Sequence, residues 1–205
     1  MILLIENQYL SPISLYLTLE GSSNIVFEQF EVYQKRSFRN RCIIAGANGQ
    51  ISLSIPLHEG REQKRFIRDI RIANQYGWQD QHWKTIVSSY NRSPWFEYYK
   101  SSLEKFYVKR FEFLFDWNLA LFEWTIQKLE MDKVAELTYH FEKEYDDHEW
   151  LDLRNKLLPK NYQNFKVPNY SQVFMDRSGF LPNLSILDLL FCEGKNSQRI
   201  LKSFS

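Results

Sequence analysis

Between Tyr33 and Cys42 the sequence reads YQKRSFRNRC, placing Lys35, Arg36, Arg39 and Arg41 close together in a chain whose formal net charge is only +1. Guanidinium forks match the oxygens of carboxylates and phosphates, so the chemistry such a run offers is recognition of an anion. Tyr33, Ser37 and Asn40 add neutral donors, and Arg61 follows further along. If the segment is extended, Arg39 and Arg41 share one face while Asn40 and Cys42 share the other. The competing reading is a charged edge strand that keeps the sheet from pairing with a neighbour. His82 is the candidate general base, because imidazole titrates near neutrality. No nucleophile stands beside it, and a packed, hydrogen-bonded core histidine is the plainer reading. Asp188, in the apolar run SILDLLF, needs a partner if buried; an arginine of the basic run would supply one and tie the two ends of the chain together.

The remaining titratable residues carry less. His58, His140 and His148 form no zinc-like pair, and the acids around His140 and His148 follow no calcium-loop order, so no metal site is expected. The chain holds no P-loop, dinucleotide fingerprint, HExxH or nucleophile elbow, and no pattern names a cofactor. Cys42 and Cys192 lack metal spacing and read as two reduced thiols rather than a staple.

Elements must position these residues. A chain of 205 residues with 44% hydrophobic and 25% charged content has ordinary globular composition. Aromatic residues make up 17%, which predicts a core filled by rings and a cleft lined with them. A near-neutral charge gives no field to attract nucleic acid, and no apolar run is long enough to span a bilayer. The N-terminus lacks the form of a signal peptide, so the reading is one cytoplasmic domain over residues 1–205.

The first half reads as strand-rich. Met1–Ile5 is an apolar strand ended by Glu6-Asn7-Gln8, a helix begins at Ser11-Pro12, and NIVFEQF (24–30) is a second strand. In RCIIAGANGQISLSIPL two alternating runs flank Ala47-Asn48-Gly49, where Asn-Gly offers the positive φ that a tight hairpin needs. FIRDIRIA (66–73) alternates as a further strand. From Gly77 the periodicity becomes helical: one helix over 78–93, a second over 95–117, and a third after a cap at Asp116-Trp117-Asn118. Residues 144–161 are charged and partly helical by this reading. Asn183 or Ser185 caps a last apolar helix ending at Gly194. The fold class is therefore α+β, an N-terminal strand-rich part with a β-hairpin packed against a mostly helical C-terminal half.

Taken together, QYLSPI, YQKRSFRNRC, AGANGQISLSIP, IRDIRI, WQDQHWKTIVSSYNRSPWFEYY and FLPNLSILDLLFCEG resemble the WbqC-like family over nearly the whole chain, with 132–168 the least similar part. Where many members begin His-Gln-Pro-Asn-Tyr, this chain has Glu6-Asn7-Gln8-Tyr9. The resemblance implies a small bacterial protein of surface-polysaccharide (O-antigen) biosynthesis, for which attachment of glycine or another acyl group to an activated sugar has been suggested. By matching, it points to Tyr9, Lys35, Ser37, Arg39, Asn40, Arg41, Tyr90, Asn183 and Asp188 as substrate-binding residues and His82 as the catalytic base. The implied ligand is a small anion or sugar phosphate. The alternative is a non-catalytic module that binds a polysaccharide precursor or a partner enzyme.

Overall fold

A computed structural model describes residues 1–60 and 62–204; Arg61, counted above with the basic run, and Ser205 lie outside them. The architecture is α+β. Strand β1 (Ile2–Glu6) leads through helix α1 (Ile13–Glu20) to β2 (Asn24–Glu28), which lies parallel to it with Ile2 opposite Asn24 and Glu6 opposite Glu28. Both strands are apolar at successive positions rather than alternately, as strands covered on both faces are. Helix α1 is apolar nearly all round and correspondingly buried. Phe27 of β2 meets Phe122 edge-on at 4.9 Å, and Tyr16 of α1 stacks on the same ring.

The hairpin forms where expected, from β3 (Arg41–Gly46) and β4 (Gly49–Ser54), with Gly46 opposite Gly49. Positive φ falls on Gly49 alone, at 112°, and not on Asn48. Strand β3 starts only at Arg41. Arg39 and Asn40 sit in the turn before it, so Arg39 and Arg41 do not share a strand face.

The helices α2 (Trp78–Tyr90), α3 (Phe96–Val108), α4 (Leu114–Lys128), α5 (Met175–Ser178), α6 (Ile186–Glu193) and α7 (Asn196–Phe204) follow. Three expectations need correction. Residues 66–73 are not a strand: Ile67–Asp69 form a 3₁₀ turn, and only isolated bridges follow, Leu57 with Ile72 and Arg71 with Phe113. The buried residues are Ile67, Ile70, Ile72 and Ala73, a spacing of three, two and one, which a turn followed by an extended segment satisfies and the strict alternation of a half-buried strand does not. The helix read over 95–117 breaks after Val108, because Glu112 and Leu114 hydrogen-bond to Ile72 and Ile70 instead of continuing the helix. Helix α4 therefore begins before Asp116, which sits in its first turn.

The largest correction lies in residues 132–161. Ala135–Leu137 (β5) and Trp150–Asp152 (β6) are short strands that complete a parallel sheet of order β5-β2-β1-β6. Three-residue strands show no periodicity of their own; they exist because β2 and β1 offer unpaired edges. The strand order reverses at β1, with β2 on one side and β6 on the other.

Candidate active site at the carboxyl ends of the parallel strands

In open parallel sheets, ligands bind outside the carboxyl ends of the strands where the strand order reverses. Here that edge is built from acids. β1 ends at Glu6, β2 at Glu28 and β6 at Asp152, and all three are positioned by the in-register pairing of apolar strands. Glu6 and Glu28 are fully buried.

Each acid is held by named partners. Glu6 accepts from Gln8 Nε2 at 3.0 Å and from the Asn155 backbone N–H at 2.8 Å. Glu28 accepts from the Phe30 N–H, from Thr138 Oγ1 and from Arg154 Nη1 at 3.1 Å. Arg154 forks onto Asp152 and lies over the rings of Phe141 and Tyr145. Glu31, just beyond β2, is held bidentately by Arg39, Nε to Oε1 at 2.7 Å and Nη2 to Oε2 at 2.6 Å. Arg39 Nη2 also donates to Asn155 Oδ1 at 2.9 Å. Asn155 takes φ 58°, a left-handed conformation that asparagine tolerates and that aims both its N–H and its side chain into the cluster.

Four carboxylates (Glu6, Glu28, Glu31, Asp152) thus face two guanidiniums. Burial raises the Glu31 carboxyl above its ordinary range; Arg39 opposes that, while Glu6 and Glu28 add to it. Burial alone would lower Arg39, but Glu6 and Glu31 outweigh it and keep the guanidinium firmly charged. Several buried polar atoms of this cluster, Arg39 Nη1, Asn7 Oδ1, Gln8 Oε1 and Asn118 Oδ1, have no hydrogen-bond partner among the described residues. They are contiguous, since Asn118 Nδ2 donates to the carbonyls of both Arg39 and Asn7. Each such group costs about 1–3 kcal/mol, and native proteins keep few of them without a use. Leu10, in the same loop, holds φ 43°, a conformation a leucine adopts only when its surroundings impose it.

The cluster opens into a cavity of about 420 Å³ lined by Glu31, Phe141, Lys143, Asp152, Asn155 and Lys156, among others. Charged and amide groups with one aromatic wall can hold a polar, hydroxyl-bearing molecule. Glu31 is a buried carboxyl in that wall whose pKa burial raises above its ordinary range, a feature that acid–base groups share.

The residues singled out from sequence are distributed differently. Arg39 belongs to this cluster, but as a buried ion pair. His82 does not line this cavity. It is buried against Trp78 and Tyr9, with Nδ1 3.1 Å from the Tyr9 hydroxyl, which in turn lies 2.8 Å from that of Tyr107. Desolvation lowers its pKa to about 4, with the Ser54 backbone opposing, so the ring is neutral at physiological pH. Lys35 is exposed and pairs with Glu62. Ser37 Oγ donates to the Gln34 carbonyl, Arg41 Nε donates to Ser54 Oγ, and Asn40 bridges Tyr33 and the Ile55 carbonyl.

Asp188 is not met by an arginine. It accepts from the hydroxyls of Tyr90 (2.8 Å) and Tyr170 (2.6 Å) and from Gln172 Nε2 (2.8 Å), with burial raising its pKa. Ser185 caps α6, accepting from the Leu187 N–H, whereas Asn183 caps α1 across the fold by accepting from the Ser14 N–H at 2.8 Å. Cys42 and Cys192 are free and buried. Among the described residues no helix is long and apolar enough to cross a membrane.

Sequence reasoning missed Glu6, Glu28, Glu31, Asp152, Arg154 and Asn155. The available signal was that ILLIE and NIVFE each end an apolar run on an acid, which parallel pairing sets side by side. No curated protein and no solved structure matches the chain. The model described as the WbqC-like protein family matches residues 8–164 and 154–200, nearly the whole length, so the chain belongs to the WbqC-like protein family.

Proposed function

We propose that this chain is a transferase of bacterial surface-polysaccharide biosynthesis that places an acyl or amino-acid group on an activated sugar, working in the cavity at the carboxyl ends of the parallel strands. The supporting observation is the pairing of a polar, ring-walled cavity of about 420 Å³ with a buried, upshifted Glu31 in its wall. Family membership supports the polysaccharide context. Arg39 holds Glu31 in one orientation by its fork. As the sugar's hydroxyl or amine attacks the carbonyl carbon of the activated donor, Glu31 takes the proton and the donor's leaving group departs. No enzyme nucleophile is required, because positioning and one base suffice. Since both Glu31 oxygens are engaged by Arg39, a second reading is a module that binds the sugar without turnover.

Thermal shift of the purified protein against nucleotide sugars, acyl-coenzyme A derivatives and amino acids is the first test. A ligand at a hundred times its Kd stabilises by about 2.7 kcal/mol, which for a chain of this size raises Tm by roughly 5–10 °C. The shift should shrink in Asp152→Asn and Lys156→Ala. Product formation, followed by mass spectrometry, should fall about 10²–10⁴-fold in Glu31→Gln. Binding without product supports the module, and a shift unaffected by any cavity substitution removes this site from consideration.

A further inference from the structure

Two other cavities meet at Phe174. One, of about 390 Å³, is lined by Arg92, Ser171, Gln172, Phe174, Asp176 and Arg177 with neighbouring apolar atoms. The other, of about 480 Å³, runs from Phe174 along α2 to the hairpin turn, past Ser88, Ser89, Thr85, Gln50 and Asn48. The arginines in the first are unlike those lining the other described cavities. In the other described cavities Arg65 is paired with Glu59, Arg71 with Glu112, and Arg154 with Asp152 and Glu28. The guanidiniums of Arg92 and Arg177 have no hydrogen bond or ion pair among the described residues, although Asp176 lines the same hollow; the Arg177 backbone N–H is held by the Phe174 carbonyl.

Their backbones are nevertheless well anchored. Gln172 is pinned by donating to Asp188 and to the Leu181 carbonyl and by accepting from the Leu181 N–H at 2.8 Å, which fixes the chain between Ser171 and Arg177. On the opposite wall Ser93 bonds back to the Tyr90 carbonyl and the Trp95 N–H donates to Phe191, which fixes the turn carrying Arg92. The carboxylate of Asp188, behind the wall, is occupied by its three donors and turned inward. Two free guanidiniums on a held frame are suited to phosphate, whose oxygens match their forks. The hydroxyl- and amide-lined continuation past the Phe174 ring suits a polar, ring-bearing body better than a hydrocarbon chain.

We propose that this joined groove is a second ligand site that binds a nucleoside phosphate, its phosphates on Arg92, Arg177 and Ser171 and its nucleoside laid across Phe174 toward α2. It is separate from the Glu31 cavity and stands whether or not that cavity is catalytic. Calorimetric titration of the whole chain with uridine diphosphate and adenosine diphosphate tests it, with inorganic pyrophosphate and farnesyl phosphate as separate arms. A nucleoside diphosphate should bind saturably and more tightly than pyrophosphate or farnesyl phosphate. Arg92→Gln and Arg177→Gln should each weaken it about 10-fold or more, and Phe174→Ala should weaken the nucleoside diphosphate but not pyrophosphate. Both arginines are exposed, so unchanged circular dichroism and thermal midpoints should accompany the loss. The proposal is overturned if neither nucleotide binds, if pyrophosphate or farnesyl phosphate binds as tightly as the nucleotide, or if binding survives the arginine substitutions and disappears in Glu31→Gln.

Discussion

Titration of His82 offers a quantitative test of where the structure puts it. In the unfolded chain its imidazole has the ordinary value of 6.5; in the fold, burial beside Trp78 and Tyr9 lowers it to about 4. Between those values the unfolded chain binds a proton that the native one refuses, so falling pH favours unfolding. The effect begins as pH drops through 6.5 and is complete near 4, below which both states are protonated. At about 1.4 kcal/mol per pH unit, His82 alone removes about 3 kcal/mol of stability across that window. Urea unfolding of the wild type and of His82→Gln, repeated from pH 7.5 to 4, measures it, because the carboxylates titrate alike in both proteins and cancel in the difference. The gap between the two should change by about 3 kcal/mol in favour of the variant as pH falls. A difference that stays constant within about 0.5 kcal/mol, or a native imidazole titrating by NMR near 6.5, would refute the buried placement and restore His82 as a solvent-facing base.

Two further substitutions probe the frame. Asp188→Asn replaces an acceptor surrounded by three donors with an amide whose NH₂ faces one of them, and should lower stability by about 2–3 kcal/mol in denaturant unfolding without changing the m-value. Gly194 ends α6 at φ 56° with its α-carbon against the Trp95 indole, so Gly194→Ala drives a methyl group into that ring. It should cost about 3 kcal/mol, read as a lowered Tm, whereas Gly60→Ala, whose added carbon meets nothing, should cost clearly less.

Local pattern carried some elements almost to the residue. Helix α1 begins after Pro12, the hairpin turns at Ala47-Asn48, and α6 is capped by Ser185 and ends before Gly194. In each case the information lies in adjacent residues: a fixed φ, an alternation of apolar and polar positions, a side chain that reaches its own helix. Residues 66–73 and 109–113 depart from their local pattern because each completes its hydrogen bonds on the other, and neither stretch alone shows that partner.

The sequence by itself determined the α+β class, the aromatic core and the family, since residue type and short-range spacing encode those. Tertiary structure alone decided what Arg39 does. Read locally, it belongs to a basic run near Lys35 and Arg41; folded, it turns inward to Glu31 and Glu6 while its neighbours take other partners. The same holds for the acids. Glu6, Glu28 and Asp152 stand far apart along the chain, and only parallel registration of three strands brings their side chains to one edge. Charge pairing acts through distances in space, and no property of a single segment records which distant segment will be its neighbour.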